Sequence, residues 1–265
     1  MNPIKFIAAD MDGSLLNDDK QLPDDFYEVF EQLKARGVMF AAASGRQYES
    51  LLETFESIKD EMLFISDNGT LVMHQGEELH SSTIDQQSVK QIINSIHPIE
   101  STYIVLCGKG IAYIDTKNPE ALSEIRKYYA KVKHVDNLLH VDDEIIKVAV
   151  LNFNGTEKHV YPVASPLFSE TLQVVVSAPV WLDFMEKSAS KGTAIKILRQ
   201  RFGFSYQQCM SFGDYFNDIE MLKETHFSYA MENAHPEIKK LARFVAPANN
   251  ESGVTRIIRD QVLQA

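Results

Sequence analysis

Short apolar runs alternating with helical stretches, in two separate parts of the chain, restrict its fold more than any other feature. Residues 4–9 are apolar apart from Lys5 and stop at Asp10, which reads as a buried strand. From Pro23 to Arg36, Phe26, Val29, Phe30 and Leu33 recur at helical spacing, and Gly37 follows as a stop. Residues 38–43 form a second apolar run, ending at Ser44-Gly45-Arg46; a helix over 48–57 and a strand over 62–66 come next. The rhythm returns at Lys191. There we expect helices over 191–202, 218–224, 235–242 and 254–263, and strands over 209–212, 227–231 and 244–245. Strand–helix–strand order requires parallel pairing through right-handed crossovers. The expected core is therefore α/β, a doubly wound parallel sheet of Rossmann-like type. Such sheets bind ligands at the carboxyl ends of their strands, where Asp10 and Ser44 fall.

Between these two parts the pattern changes. Residues 70–73 and 78–80 look like a hairpin, as do 102–106 and 111–114 around Gly108-Lys109-Gly110. Helices are expected over 85–96, 119–130 and 156–169, the last broken at Pro162, with strands over 145–153, 173–177 and 180–184. Hairpins mixed with helices predict a separate α+β module. We expect a core domain of residues 1–82 and 187–265 and an inserted domain of residues 83–186.

Charge limits the function. With 37 acidic and 26 basic residues the formal charge is −11, a field that disfavours nucleic acid and anionic membrane surfaces. A phosphate ligand would have to be neutralised locally. The two cysteines, Cys107 and Cys209, have no CxxC neighbour, no apolar run approaches the ~20 residues of a span, and no signal-like segment opens the sequence. The expectation is a reduced, cytoplasmic protein.

Four strand ends carry the chemistry. Asp10-Met11-Asp12-Gly13-Ser14 places two carboxylates two residues apart, on one side of a strand. Like charges so close call for a cation or a proton between them. Ser44-Gly45-Arg46 offers a hydroxyl and a backbone N–H before a helix, suited to an anion. Lys191-Gly192 sets a cation at a helix N-terminus, against the macrodipole. Gly213-Asp214-Tyr215-Phe216-Asn217-Asp218 supplies oxygen donors for a hard cation. Alone, each segment also fits a plain turn, cap or surface lysine. Together they deliver to one sheet edge what a single reaction needs.

These four segments resemble, in order, the four motifs of the haloacid dehalogenase-like hydrolase superfamily, in particular its Cof-type sugar phosphatases. Residues 230–234, 239–242 and 249–254 resemble the C-terminal pattern of that branch. The inserted domain falls between the second and third motifs, where those enzymes carry an α/β substrate-specificity cap. The resemblance implies a Mg²⁺-dependent hydrolase of small phosphorylated metabolites, sugar phosphates first. It implies Asp10 as nucleophile forming an aspartyl-phosphate, and Asp12 as general acid and base. It also implies phosphate contacts from Ser44, Lys191 and the backbone of Met11, Gly45 and Asn217. The metal would be held by Asp10, Asp12 through its carbonyl, and Asp214, with Asp218 in support. No nucleic acid, membrane or obligate protein partner is implied.

This chain departs from the pattern in places. Ser14 stands where the first motif usually ends in Thr, and Tyr215 and Phe216 are bulkier than the small residue usual after the fourth-motif Asp. The resemblance gives Arg46 no role. A phosphomutase with the same phosphoaspartate chemistry, or a non-catalytic sensor of phosphometabolites, would share the core; Asp12 speaks against P-type ATPases. Lys109, His134, His140, Trp181 and Asp183 are the residues of the inserted domain considered for substrate contact, each fitting surface or core packing as well.

Overall fold

The computed structural model describes residues 3–264. Its strands are β1 Phe6–Asp10, β2 Met39–Ala43, β3 Leu63–Ser66, β4 Leu71–His74, β5 Glu77–Ser81, β6 Thr102–Gly108, β7 Ala112–Ile114, β8 Val132–His134, β9 Ile145–Asn152, β10 Leu172–Ala178, β11 Trp181–Glu186, β12 Cys209–Gly213, β13 Phe227–Met231 and β14 Phe244–Ala246. They form two sheets, ordered β14-β13-β12-β1-β2-β3-β4-β5 and β10-β11-β9-β6-β7-β8. The chain divides into two compact units. One comprises residues up to 45, 57–80 and 190 onward; the other comprises 46–56 and 81–189.

In the first unit, β14 to β3 run parallel and β4 returns antiparallel to β3. Parallel strands are buried on both faces, so they read as unbroken apolar runs. The helix Phe26–Ala35 buries Phe26, Val29, Phe30 and Leu33, with Phe26 edge-on to Phe40 of β2 at 5.5 Å. Ala194, Ile195 and Leu198 of the helix Lys191–Phe202 cluster with Phe6, Ala8, Ala41 and Leu63 of the sheet.

The second unit is mainly antiparallel, with β7 and β8 parallel. The helices Gln86–Ile96 and Tyr161–Phe168 cover the sheet face formed by Ile104, Leu106, Val148, Val150, Leu182 and Phe184. Asp85 caps the first of these, accepting the Ser88 N–H at 2.9 Å.

Several elements differ from the sequence expectation. The helix expected over 119–130 stops at Ile125, and the chain forms the short strand β8, too brief to show an alternation. The helix expected over 156–169 is two, Thr156–His159 and Tyr161–Phe168; it divides at Val160, and Pro162 sits in the first turn of the second helix, where a missing N–H costs nothing. Residues 46–56, expected with the core, fall in the second unit, where Glu49 pairs with Lys131 at 3.0 Å. The other unit boundaries lie at 80/81 and 189/190.

Candidate active site

Strand pairing gathers the site in the first unit. β1 lies between β2 and β12, with Asp10 opposite Ala43 and Ala9 opposite Phe212. The next residues on the two flanking strands' trailing ends are Ser44 and Asp214, so both meet Asp10 at one edge. After Asp10 the chain folds back at once: Leu15 N–H donates to the Asp10 carbonyl at 3.0 Å and Leu16 N–H to that of Met11 at 2.8 Å. Gly13 makes this turn at φ +87°, and a Cβ there would run into the Asp214 carboxylate. Only glycine meets both conditions without strain.

Asp10, Asp214 and Asp218 each place a carboxylate oxygen within 4.8 Å of the others. Lys191 enters the cluster from the first position of its helix, fully buried, with Nζ 2.5 Å from Asp10 Oδ1 and 2.7 Å from Asp218 Oδ1. Ser190 caps that helix by accepting the Thr193 N–H at 3.0 Å. Asp218 Oδ2 accepts the backbone N–H of Asp214 at 2.9 Å and of Tyr215 at 3.3 Å, and the Ser14 hydroxyl donates to Asp214 at 3.4 Å.

Two buried carboxylates, Asp10 and Asp218, and the half-buried Asp214 face one ammonium. Burial, then the charge of Asp218, holds the Asp10 carboxyl well above the ordinary carboxylate range, against the pull of Lys191. The same two causes lift Asp214 to about 6. Burial pulls Lys191 down, but Asp10 and Asp218 together outweigh it and keep the ammonium charged. An all-oxygen donor set with surplus negative charge fits a hard divalent cation such as Mg²⁺.

A second group of residues faces the same edge. Ser44 is buried, its N–H donating to the Ile65 carbonyl at 2.8 Å, and Asn68 N–H donates to the Ser44 carbonyl at 2.9 Å. The Asn68 side chain lies beside Gly45, where an added Cβ would come within 3.2 Å of its Oδ1. Asn217 donates to that Oδ1 at 3.1 Å. Asn68 thus ties Ser44-Gly45 to the loop carrying Asp214.

Asp12 is not one of the three clustered carboxylates. Its side chain is 39% exposed and pairs with Lys20 Nζ at 2.9 Å. Met11 is buried. Tyr215 and Phe216 are 55% and 44% exposed and pack on each other and on His235.

In the second unit, Trp181 is a packing residue between Tyr128 and Tyr129, its indole N–H donating to Glu124 at 3.3 Å. Burial lifts the Asp183 carboxyl, against the pull of Lys147. Lys109 pairs with Glu144 at 2.8 Å, Arg46 is half-buried, and His134 and His140 are exposed.

Asn68 and Lys20 escape the sequence reading. Asn68 carried a signal: Asp67-Asn68-Gly69 is turn chemistry directly after an apolar run, at the same sheet edge. Lys20 carried none.

The haloacid dehalogenase-like hydrolase family matches residues 7–258. A 5-amino-6-(5-phospho-D-ribitylamino)uracil phosphatase of Escherichia coli (strain K12) is 30% identical over 266 residues, covering 98% of this chain and 97% of its own. A phosphatase of the same description from Bacillus subtilis (strain 168) is 25% identical, with 98% and 96% covered. Among solved structures, SMU.1108c from Streptococcus mutans UA159 is similar with a TM-score of 0.88 at 27% identity, over 99% of this chain and 100% of that one.

Proposed function

Because the chain belongs to the haloacid dehalogenase-like hydrolase family and is a phosphatase, we propose that it hydrolyses phosphomonoesters of small sugar-like metabolites by Mg²⁺-dependent chemistry through an aspartyl-phosphate on Asp10. The observation that carries the reading is the cluster of Asp10, Asp214 and Asp218 around the buried Lys191. The sugar-like preference draws on the two relatives, whose described substrate bears its phosphate on a ribityl chain.

In this reading an Asp10 oxygen attacks phosphorus and the ester oxygen leaves with a proton from Asp12. Asp12 then takes a proton from water, whose oxygen attacks the aspartyl-phosphate and releases phosphate and free Asp10. Ser44, Lys191 and the backbone N–H groups of Met11, Gly45 and Asn217 hold the phosphoryl oxygens. Lys191 keeps Asp10 oriented, and Asp218 orients the loop of Asp214 through two backbone hydrogen bonds. Asp10, the Asp12 carbonyl and Asp214, with Asp218 in support, would hold Mg²⁺, which would supply the positive charge a phosphate needs to approach these four carboxylates. The first unit acts as the hydrolase core and the second as the domain that sets specificity. We place the protein in the cytoplasm; no helix among the described residues is long and apolar enough to cross a membrane.

The test is phosphate release from a panel of sugar phosphates, nucleotides, flavin mononucleotide and pyridoxal phosphate, with Mg²⁺, with EDTA and with Asp10→Asn. Metal-dependent release lost in the variant is expected. Isomerised sugar phosphate without free phosphate would point to a mutase, and binding without turnover to a sensor.

A further inference from the structure

The short helix Tyr48–Thr54 has one buried row. Leu51 and, just past the helix end, Phe55 are fully buried; Gln47, just before the helix start, completes the row at intervals of four. Gln47 is only 1% exposed. A position in such a row calls for an apolar residue, and this chain puts a carboxamide there.

That carboxamide is unsatisfied. Among the described residues, neither its Oε1 nor its Nε2 has a hydrogen-bond partner. Buried polar groups are nearly always paired, because an unpaired one has lost its water and gained nothing in return. The other two buried amides among the described residues follow that rule. Asn152 donates to the Glu100 carbonyl at 2.9 Å and to Thr102 at 2.7 Å, and Asn249 donates to the Leu16 carbonyl at 3.0 Å and to Asp18 at 3.1 Å. The Gln47 backbone is ordinary: φ is −65° and ψ 148°, and its carbonyl accepts the Ser50 and Leu51 N–H groups at 3.1 and 3.3 Å. The cost falls on the side chain alone.

Its place in the chain points to the group that would pair with it. Gln47 follows Ser44 by three residues and Gly45 by two. Covalent geometry alone keeps its Cα within about 11 Å of that of Ser44. In the proposed function Ser44 and Gly45 hold the phosphoryl group, and the leaving group of the ester begins where the phosphoryl ends. Gln47 itself belongs to the second unit, to which that reading gives specificity. A carboxamide offers two N–H donors and an acceptor oxygen, and carries no charge. It matches neutral groups that both donate and accept, as the hydroxyls of a sugar or polyol do. It neutralises nothing on a charged leaving group, which would also lose its hydration at a buried position.

We propose that Gln47 is a specificity-determining residue, selecting esters with a neutral polyhydroxyl leaving group by hydrogen-bonding its hydroxyls. The inference rests on the phosphatase reading and names the residue behind its sugar-like preference. A leaving group that pairs with the amide relieves the cost of burying it; an analogue without hydroxyls leaves that cost in place and is rejected.

The test pairs ribitol 5-phosphate with n-pentyl phosphate, which share a five-carbon leaving group and differ in hydroxyls. The wild type should favour ribitol 5-phosphate in kcat/KM by about a hundredfold or more. Gln47→Met keeps the length of the side chain and removes its polar end. It should cut that preference about tenfold, mainly by raising KM for ribitol 5-phosphate, and leave n-pentyl phosphate within about twofold. Gln47→Leu should do the same with a different shape. Without ligand, the Tm of the Met variant should match or exceed that of the wild type, because no unpaired amide is buried. A wild type that does not favour the polyol ester, equal losses on both esters, or a lowered Tm with the preference intact would each overturn the role of Gln47. A wild type inactive on both esters and on the full panel would instead overturn the phosphatase reading itself.

Discussion

Three carboxylates within reach of one ammonium leave the site with more negative charge than Lys191 balances, and this sets its response to pH. Asp214 titrates at about 6 against an ordinary 3.8, because burial and Asp218 disfavour its charged form. The folded state therefore binds a proton that the unfolded chain has already lost. Without metal, that contribution to stability is present below pH ~4 and is lost as pH rises through ~6. Asp10 is shifted the same way. A divalent cation bound by these carboxylates would compete with these protons. The rise in Tm on adding Mg²⁺ should therefore be small at pH 5 and several degrees larger at pH 7.5, as followed by calorimetry. An equal rise at both pH values would mean that these carboxylates do not bind the ion. At this scale the sequence was most legible: Asp10, Ser44, Lys191 and Asp214 were visible because each ends a strand or opens a helix. Lys20 was not, because its place depends on a turn held by residues about 230 positions away.

Elements meet closely where the site needs them. Gly192, the residue after Lys191, lies against the helix Ile219–Lys223, and a Cβ on it would sit 2.5 Å from the Glu220 carbonyl carbon and oxygen. Backbone cannot yield there as a flexible side chain can. Gly192→Ala should force the two helices apart and cost about 1–3 kcal/mol, read as a lower urea midpoint, with activity falling as Lys191 is displaced. Unchanged stability would show that the helices have room to spare. Element type was largely readable from periodicity, but ends were less so. The helix beginning at Pro119 and the strand β8 compete for residues 126–134, and packing in the second unit settles that competition.

The two units hold separate cores. Phe184, fully buried and edge-on to Phe168 at 5.4 Å, belongs to the cluster of the second unit, while every carboxylate of the site lies in the first. Phe184→Ala should cost about 3–5 kcal/mol and split the calorimetric unfolding into two transitions. Mg²⁺ should raise only the later one. A single transition raised by Mg²⁺ as in the wild type would mean that the units unfold as one. The sequence reading recognised an inserted module by its hairpins. It assigned residues 46–56 to the core, because their contacts in the second unit, such as Glu49 with Lys131, join segments far apart in the chain.

The sequence by itself determined which segments become strands and which residues end them, since apolar runs, helical spacing and glycine stops act over a few neighbours. Tertiary structure alone decided who meets whom. Asp10 and Asp214 lie 204 positions apart and share a site because β1 pairs in parallel with β12, Ala9 opposite Phe212. Lys20 reaches Asp12 in a loop held by Asn249 and Asn250. Such contacts close long loops, and their stability comes from the packing and hydrogen bonds of the whole fold, which no local pattern encodes.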